Sequence, residues 1–536
     1  MLSFRRIHIT SFLLVVVLTL LTCVACSSHD DAPMEYGGNK YINLSIAVST
    51  SGHAGTRTGE IPAGGENGDG REAGFKRENE VTGVTLFFYE AADGINASDE
   101  TTISYTVYYP VSPAQVKRDQ SPKSESDITD ETRPNDSADE YVFTTGDRRL
   151  EVNKIIPSKE YHVIAVLNDD LSLEGLTTLG KVRDYRFSTL YSGKGNAENC
   201  TNFVMTSEQD FTLKLSDVTP TVEGKNQYYR LETPLRVERL AARIDFQTEY
   251  GSGKVCQGYN SIYKGYEYNV GSTADKFVVT AITPFNVYTK SATRGGEYLI
   301  KRLTDSFESA KIKYLEDEAS GAPETDKYCY VLDPETKDKE SAWTSDNMVN
   351  TLKGTGGLND DLTLSFSGKA VDAYPYQTIE LLYATLHEQG GSDSYTGGLK
   401  LMESSVNTGD IVIIGYPMEN TLGPKAKLYD CATGLSIEGD YYQGGFSGTK
   451  THLIYYGFLR HQGESSGSYA TYPMTTNLTE LQAKTCSASI PMNYSVVRNN
   501  IYRVSIESIT PRSSTDPLLK IKVKKWDPYL HAPIYM

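Results

Sequence analysis

YINLSIAVS, Tyr41 to Ser49, sets the fold class. Ile42, Leu44, Ile46 and Val48 fall on one face, and Asn43, Ser45, Ala47 and Ser49 on the other. That period of two belongs to a strand with one buried face. Outward from it the pattern repeats. VTGVTLFFY (Val81–Tyr89), Tyr105–Tyr109 and YHVIAVL (Tyr161–Leu167) read as further strands, and Thr177–Tyr191 holds the one helix expected in this half. LRVERLAARIDF (Leu235–Phe246) leads into a second strand-rich half. Its strands are expected at Phe277–Ile282, Thr363–Phe366, Thr378–Leu386, Asp410–Tyr416, Thr451–Leu459 and Ile501–Ile509. The polar stretches Gly52–Gly74, Lys117–Glu140 and Glu316–Asn350 read as loops or insertions. No short repeat and no heptads occur, so two β-sandwich domains in tandem are expected, 37–232 and 233–510, with a tail at 511–536.

Composition agrees with this. The 536 residues contain 38 Tyr but only 2 Trp, with 45 Gly and 21 Pro, which suits half-exposed sheet and many turns. With 52 Lys and Arg against 69 Asp and Glu, the net charge is −17. A sequence-independent nucleic-acid binder needs a basic face, so no nucleic-acid partner is expected.

The first 26 residues point to export. Arg5 and Arg6 precede an apolar run, Ser11–Leu21, that is too short to span a bilayer as a permanent helix. Cys23-Val24-Ala25-Cys26 follows, and a Cys behind small residues at this place resembles a bacterial lipobox. Cys26 is the expected lipidation site, because Ala25 precedes it where Thr22 precedes Cys23. Residues 1–25 would then be the signal peptide and 26–36 a linker. An ordinary signal cut near Ala25 without lipid is the alternative. Asp30-Asp31 resembles the surface-export signal of Bacteroidetes lipoproteins. Beyond Cys26 stand Cys200, Cys256, Cys329, Cys431 and Cys486, too widely spaced for a zinc ribbon or a redox motif.

No catalytic constellation stands out. The eight histidines form no HxxxH or HExxH. Gly463-Glu464-Ser465-Ser466-Gly467 spells GxSxG but lacks the apolar strand before it and the helix after it that a nucleophile elbow needs. Gly175–Val182 (GLTTLGKV) nearly spells a phosphate loop, with Val182 where the magnesium hydroxyl should be. The acidic clusters lack calcium-loop spacing, and no carboxylate pair is singled out for glycosidase work. No active site, cofactor or metal is expected.

The tail LLKIKVKKWDPYLHAPIYM, Leu518–Met536, is two amphipathic strands in series. Leu519, Ile521 and Val523 alternate with lysines. After Asp527-Pro528, Leu530, Ala532, Ile534 and Met536 alternate again. At about 3.3 Å per residue the tail reaches up to roughly 60 Å, enough to lie on another domain. Burying three or four of these side chains would contribute on the order of 5–10 kcal/mol before ordering costs. Pattern alone allows two readings: a strand donated elsewhere, or the last edge strand of its own domain.

Several segments, taken in order, resemble Bacteroidales fimbrillins, the type V pilins, and in particular the major subunits of short, Mfa-type fimbriae. Tyr494–Tyr502 (YSVVRNNIY) resembles that family's VVRNNIY signature, and Lys524-Lys525-Trp526 its terminal strand pair. Asn202–Ser207 (NFVMTS) resembles its VMT strand, Val237–Arg243 (VERLAAR) the segment between its domains, and Val166–Asp169 (VLND) a strand end.

The resemblance implies transthyretin-like, Greek-key sandwiches and a surface lipoprotein of the outer membrane that ends in an extracellular fimbrium. It implies that the first strand (Ile42, Leu44, Ile46, Val48) completes the N-terminal sandwich until an Arg-specific protease removes it. The tail of a neighbour (Leu519, Ile521, Val523, Trp526, Leu530, Ile534) would then fill the groove. The cut is expected between Arg57 and Thr58, in flexible glycine-rich sequence, with Arg71 as second choice and a merely solvated Arg57 as the bland alternative. Partners would be other copies, anchor and tip subunits, and the membrane through the lipid. The rivals are a glycan-binding surface lipoprotein, an adhesive tip subunit, and a secreted hydrolase.

Overall fold

The computed structural model describes residues 38–43, 45–48, 71–73, 78, 81–94, 97–110, 141–144, 150–168, 175–183, 185–187, 190–192, 200–207, 211–231, 235–248, 253–285, 408–417, 419–420, 428, 432–459, 470–476, 494–510 and 518–527, together with short strand pieces between 287 and 402. Cys26, Leu44, Arg57, Thr58, Leu530, Ile534, Lys117–Glu140 and the GxSxG stretch lie outside these residues.

The first half opens with β1 (Lys40–Asn43), β2 (Ser45–Val48) and β3 (Arg71–Ala73), followed by β4 (Gly83–Tyr89), β5 (Ile103–Pro110), β6 (Tyr141–Thr144), β7 (Leu150–Glu151) and β8 (Glu160–Leu167). β4 lies inside its expected strand and β8 begins one residue before its own, because their runs of Val, Leu, Phe and Ile are buried on both faces. An eight-stranded sheet has the order β5, β4, β8, Met205–Ser207, Leu235–Arg239, β2, β6, with Phe211–Lys214 also on β8. A four-stranded sheet carries Thr221–Glu223, Asn226–Arg230, β1 and β7. One apolar core joins them, with Ile42 and Tyr229 from the small sheet and Leu86, Val163 and Val237 from the large one.

YINLSIAVS is thus not one strand. Lys40–Asn43 lies in the small sheet and Ser45–Val48 in the large one, as corner strands of sandwiches do when they serve both layers.

The second sandwich packs a seven-stranded sheet on a six-stranded one. The former has the order Gly398–Met402, Thr408–Gly415, Arg243–Gln247, Asn500–Ser508, Leu518–Asp527, β3, with Ala470–Pro473 also on Leu518–Asp527. The latter runs Cys256–Asn260, Gly265–Asn269, Lys276–Phe285, Gly434–Gln443, Thr449–Phe458, with Gln377–Thr378 on its third strand. Ile244, Phe246, Val412, Val504 and Ile506 face Phe277, Val279, Ile437 and Tyr455 across this core.

Three local expectations change. The helix within Thr177–Tyr191 is only Leu179–Arg183, and Arg186–Phe187 is a strand. Within the acidic insertion Glu316–Asn350, Tyr328–Val331 pairs with Lys311–Tyr314 as a hairpin. Leu235–Phe246 splits at 240–242, so that Leu235–Arg239 lies in the first sandwich and Arg243–Gln247 in the second.

Candidate functional site

Both halves of the first strand are interior strands. β1 runs parallel to Asn226–Arg230 (Lys40 opposite Gln227, Asn43 opposite Arg230) and antiparallel to β7. Ile42 is fully buried, and the Tyr41 ring stacks on Tyr228 at 5.1 Å. The entry to β1 is tied down by polar bonds. Lys40 Nζ donates to the Ile155 carbonyl at 2.8 Å, and the amides of Asn39 and Lys40 donate to Asn226 Oδ1 (2.9 Å) and Asn153 Oδ1 (2.8 Å).

β2 runs parallel to Leu235–Val237, with Ile46 opposite Leu235 and Val48 opposite Val237, and antiparallel to β6. Withdrawing this one segment would leave a two-sided slot in each sheet and bare the backbone groups of Asn226–Arg230, β7, Leu235–Arg239 and β6. Each net hydrogen bond lost costs about 1 kcal/mol, so such a groove favours any strand that refills it.

The tail begins as a strand of its own domain. Leu518–Asp527 runs antiparallel to Asn500–Ser508, which places Leu519 opposite Ile506, Ile521 opposite Val504, and Val523 opposite Tyr502. Those three partners belong to the second core. On its other edge Ala470–Pro473 pairs with Leu518–Ile521, and β3 pairs in parallel with Lys525–Asp527, placing Glu72 opposite Trp526. Leu518–Asp527 is therefore an interior strand and not an edge.

Between the two sandwiches lies a buried charge cluster that the sequence does not advertise. Alternation along Arg243–Gln247 sends Ile244 and Phe246 into the second core and turns Arg243 and Asp245 to the opposite face, where both are still buried. Arg243 holds Asp245 bidentately, through Nε at 2.9 Å and Nη2 at 3.0 Å, and Arg503 from the neighbouring strand reaches the same carboxylate at 2.7 Å. Arg243 Nη1 also meets the fully buried Glu78 carboxylate at 3.2 Å. Glu78 further accepts a hydrogen bond from the Tyr416 hydroxyl, and its carbonyl accepts from Arg239 Nε at 3.1 Å. Two carboxylates and three guanidiniums thus share one desolvated pocket. Buried charge persists only in such mutual pairing. Tyr416 also packs edge-on to Phe203 at 4.7 Å, tying the second sandwich to the first.

The quoted motifs do structural work at this joint. Asn168 of VLND takes a left-handed backbone (φ 60°) at the end of β8. Its side chain accepts from the Thr82 amide at 2.8 Å and donates to the Phe203 carbonyl at 2.8 Å. In VVRNNIY, Asn499 is also left-handed (φ 56°), an arrangement Asn tolerates better than most residues. Its Oδ1 accepts from Arg239 Nη1 at 3.1 Å, and its amide donates to the Ala241 carbonyl at 2.9 Å. Arg498 pairs with Glu419 at 2.9 Å, both buried. Glu78, Asp245 and Arg503 went unnoticed in the sequence. The usable signal was charge at core-facing density within LRVERLAARIDF.

The near phosphate loop is not one. The amides of Leu179 and Gly180 already donate to the carbonyls of Thr101 and Asp99, and Leu179 and Val182 are core residues. Among the described residues no three metal-ligating side chains converge, and no helix is long and apolar enough to cross a membrane. His452, Asp440, Glu438 and Lys450 form an ion network between adjacent strands, with Lys450 to Asp440 at 2.6 Å.

Comparison with known proteins gives a consistent set of neighbours. No protein-family model matches the chain, and no curated protein matches it in sequence. Among solved structures it is similar to a fimbrillin, FimA, of Porphyromonas gingivalis (12% identity, 92% of this chain and 99% of that one, TM-score 0.35). It is also similar to the tip fimbrial protein Mfa3 of the same organism with a C-terminal truncation (10%, 91% and 100%, TM-score 0.34). A third neighbour is a candidate cell adhesion protein of Parabacteroides distasonis (12%, 91% and 100%, TM-score 0.36).

Proposed function

We propose that this chain is a structural subunit of a cell-surface fimbria, exported as a lipoprotein through Cys26, matured by an Arg-specific cut at Arg57-Thr58, and polymerised by strand exchange in support of adhesion. One observation carries the reading: the start of the chain supplies an interior strand to each sheet of the first sandwich. A terminal segment so placed is a removable plug. The segment order of the fimbrillin resemblance supports the same reading.

The donor is the tail of another copy. Its two segments, before and after Asp527-Pro528, parallel the two halves of the leader strand, which also break in the middle. Since Leu518–Asp527 is engaged in its own sheet, exchange must either peel that strand away or use the residues beyond Asp527. This engagement favours a second reading, a tip subunit that accepts a strand and donates none.

The test is Arg57→Ala with truncation after Asp527. The shaft reading expects unprocessed monomer from the first and folded but non-elongating subunit from the second. A truncated subunit that still caps fibres as a single copy supports the tip reading, and normal fibres from both variants would refute the proposal. Loss of palmitate labelling in Cys26→Ala checks the anchor.

A further inference from the structure

We propose that β3, Arg71–Ala73, is a latch that holds the tail strand in its own subunit until assembly. This rests on the strand-exchange reading above and adds a control element to it.

The outer edge of Leu518–Asp527 is covered in two places, by Ala470–Pro473 over Leu518–Ile521 and by β3 over Lys525–Asp527. The second patch lies at the end of the strand that leads on to Pro528 and Met536. A tail that peels away from its terminus meets β3 first. On the other side Asn500–Ser508 reaches only the first of these residues, with Asn500 opposite Lys525 and Ile501 opposite Lys524. Peeling therefore has to release β3 first, at Asp527 and Trp526, then both edges together at Lys525, and only the inner edge across Lys522–Lys524, to which no strand is paired on the outer side among the described residues.

Three residues of strand are weak when free. Here they are not free, because Glu78, five positions beyond Ala73, is fixed at the domain joint by Arg243, Arg239 and Tyr416. Five residues span at most about 18 Å, so the joint keeps β3 close to the tail at high effective concentration. The latch comes from the chain's first eighty residues and the strand it covers from its last twenty. The segment that plugs the first sandwich and the one that clasps the tail are thus neighbours in sequence. A cut after Arg57 removes β1 and β2 and leaves the latch. A cut after Arg71 would leave only Glu72 and Ala73 of it. The two candidate bonds are not equivalent: the first opens the groove, and the second also loosens the donor.

The experiment uses the full-length subunit processed after Arg57. The register places Glu72 opposite Trp526, so a Glu72→Cys, Trp526→Cys pair should crosslink on oxidation, with each single variant as control. The crosslinked subunit should polymerise at least tenfold more slowly than the reduced one, and reductant should restore the rate. Replacing Arg71, Glu72 and Ala73 with Gly should raise backbone hydrogen exchange at Lys525–Asp527 by roughly thirtyfold, the loss expected for about two ladder bonds, and leave Ile501–Val504 unchanged. Polymerisation at the unlinked rate despite complete crosslinking would overturn the latch. If truncation after Asp527 still gave a folded subunit that formed no fibres, strand exchange would stand without it. The exchange measurement needs no polymer: unchanged protection in the glycine variant, or failure of the pair to crosslink, contradicts the latch even where no fibre forms.

Discussion

The leader segment and the tail strand occupy equivalent places at opposite ends of the chain, and they differ in how firmly they are held. β1 and β2 are four residues each, lie in two different sheets, and rely on parallel partners along one side. Leu518–Asp527 is one ten-residue strand with a long antiparallel partner. Antiparallel ladders are somewhat stronger per residue, and a continuous strand must be broken bond after bond. On the strand-exchange proposal, this contrast makes the leader the end that leaves first. The leader is an interior strand cut into two short pieces, while the tail is one long piece clasped on both edges.

The largest effect that could break this comparison comes from deleting Leu518–Met536. Removing an interior strand should lower the melting temperature sharply and abolish fibres, whereas removing only residues 528–536 should leave the melting temperature near that of the whole chain. Equal melting temperatures for the two deletions would mean that Leu518–Asp527 adds nothing to its own domain. Next is Glu78→Ala, which takes a buried carboxylate from Arg243 and from the Tyr416 hydroxyl and should cost about 4 kcal/mol in denaturant unfolding. Glu78→Gln keeps hydrogen-bonding atoms and should cost less. A cost within experimental error for Glu78→Ala would remove the joint from the account.

Ile42→Ala sharpens the comparison from the other end. A fully buried Ile truncated to Ala costs about 3 kcal/mol. That loss should be measurable in the unprocessed chain and vanish once the leader has been cut and displaced. If it persists in subunits taken from fibres, the leader has not left.

The smallest effect is at a turn of the second sandwich. Asp275 accepts hydrogen bonds from the Tyr441 hydroxyl and from the Gly444 amide, and these hold its carboxyl below the usual range, the tyrosine bond contributing most. A carboxyl lowered on folding adds stability above its unfolded value, near pH 3.9, and loses it as pH falls through the lower folded value. Asp275→Asn should flatten that acid limb slightly, through a small loss of stability at neutral pH and little change in acid. The turn it supports has Gly444 and Gly445 at φ 80° and 89°, so side chains there would be strained.

The strands were legible where burial is complete. Val81–Tyr89 and Tyr161–Leu167 are recovered within two residues because their apolar runs admit no other partner than sheet. Tyr41–Ser49 was legible as strand but not as two strands, since the alternation of the sequence runs on unbroken while Lys40–Asn43 and Ser45–Val48 lie in different sheets. Leu235–Phe246 misleads in the same way, crossing between sandwiches at 240–242 with no glycine or proline to mark it. The tail's amphipathic pattern is the same for a donated strand and for a home strand, so only the register distinguishes where it rests. The buried charges were illegible for a different reason. Their partners, Glu78, Asp245 and Arg503, lie far apart in sequence and are brought together only by the joint between the domains.

The central claim is that the leader is a placeholder. Mass spectrometry of the subunit N-terminus in fibres sheared from the cell surface tests it most directly. The account predicts subunits that begin at Thr58, with no peptide from Lys40–Val48. Fibres whose subunits retain Lys40–Val48 in the same chain would contradict it.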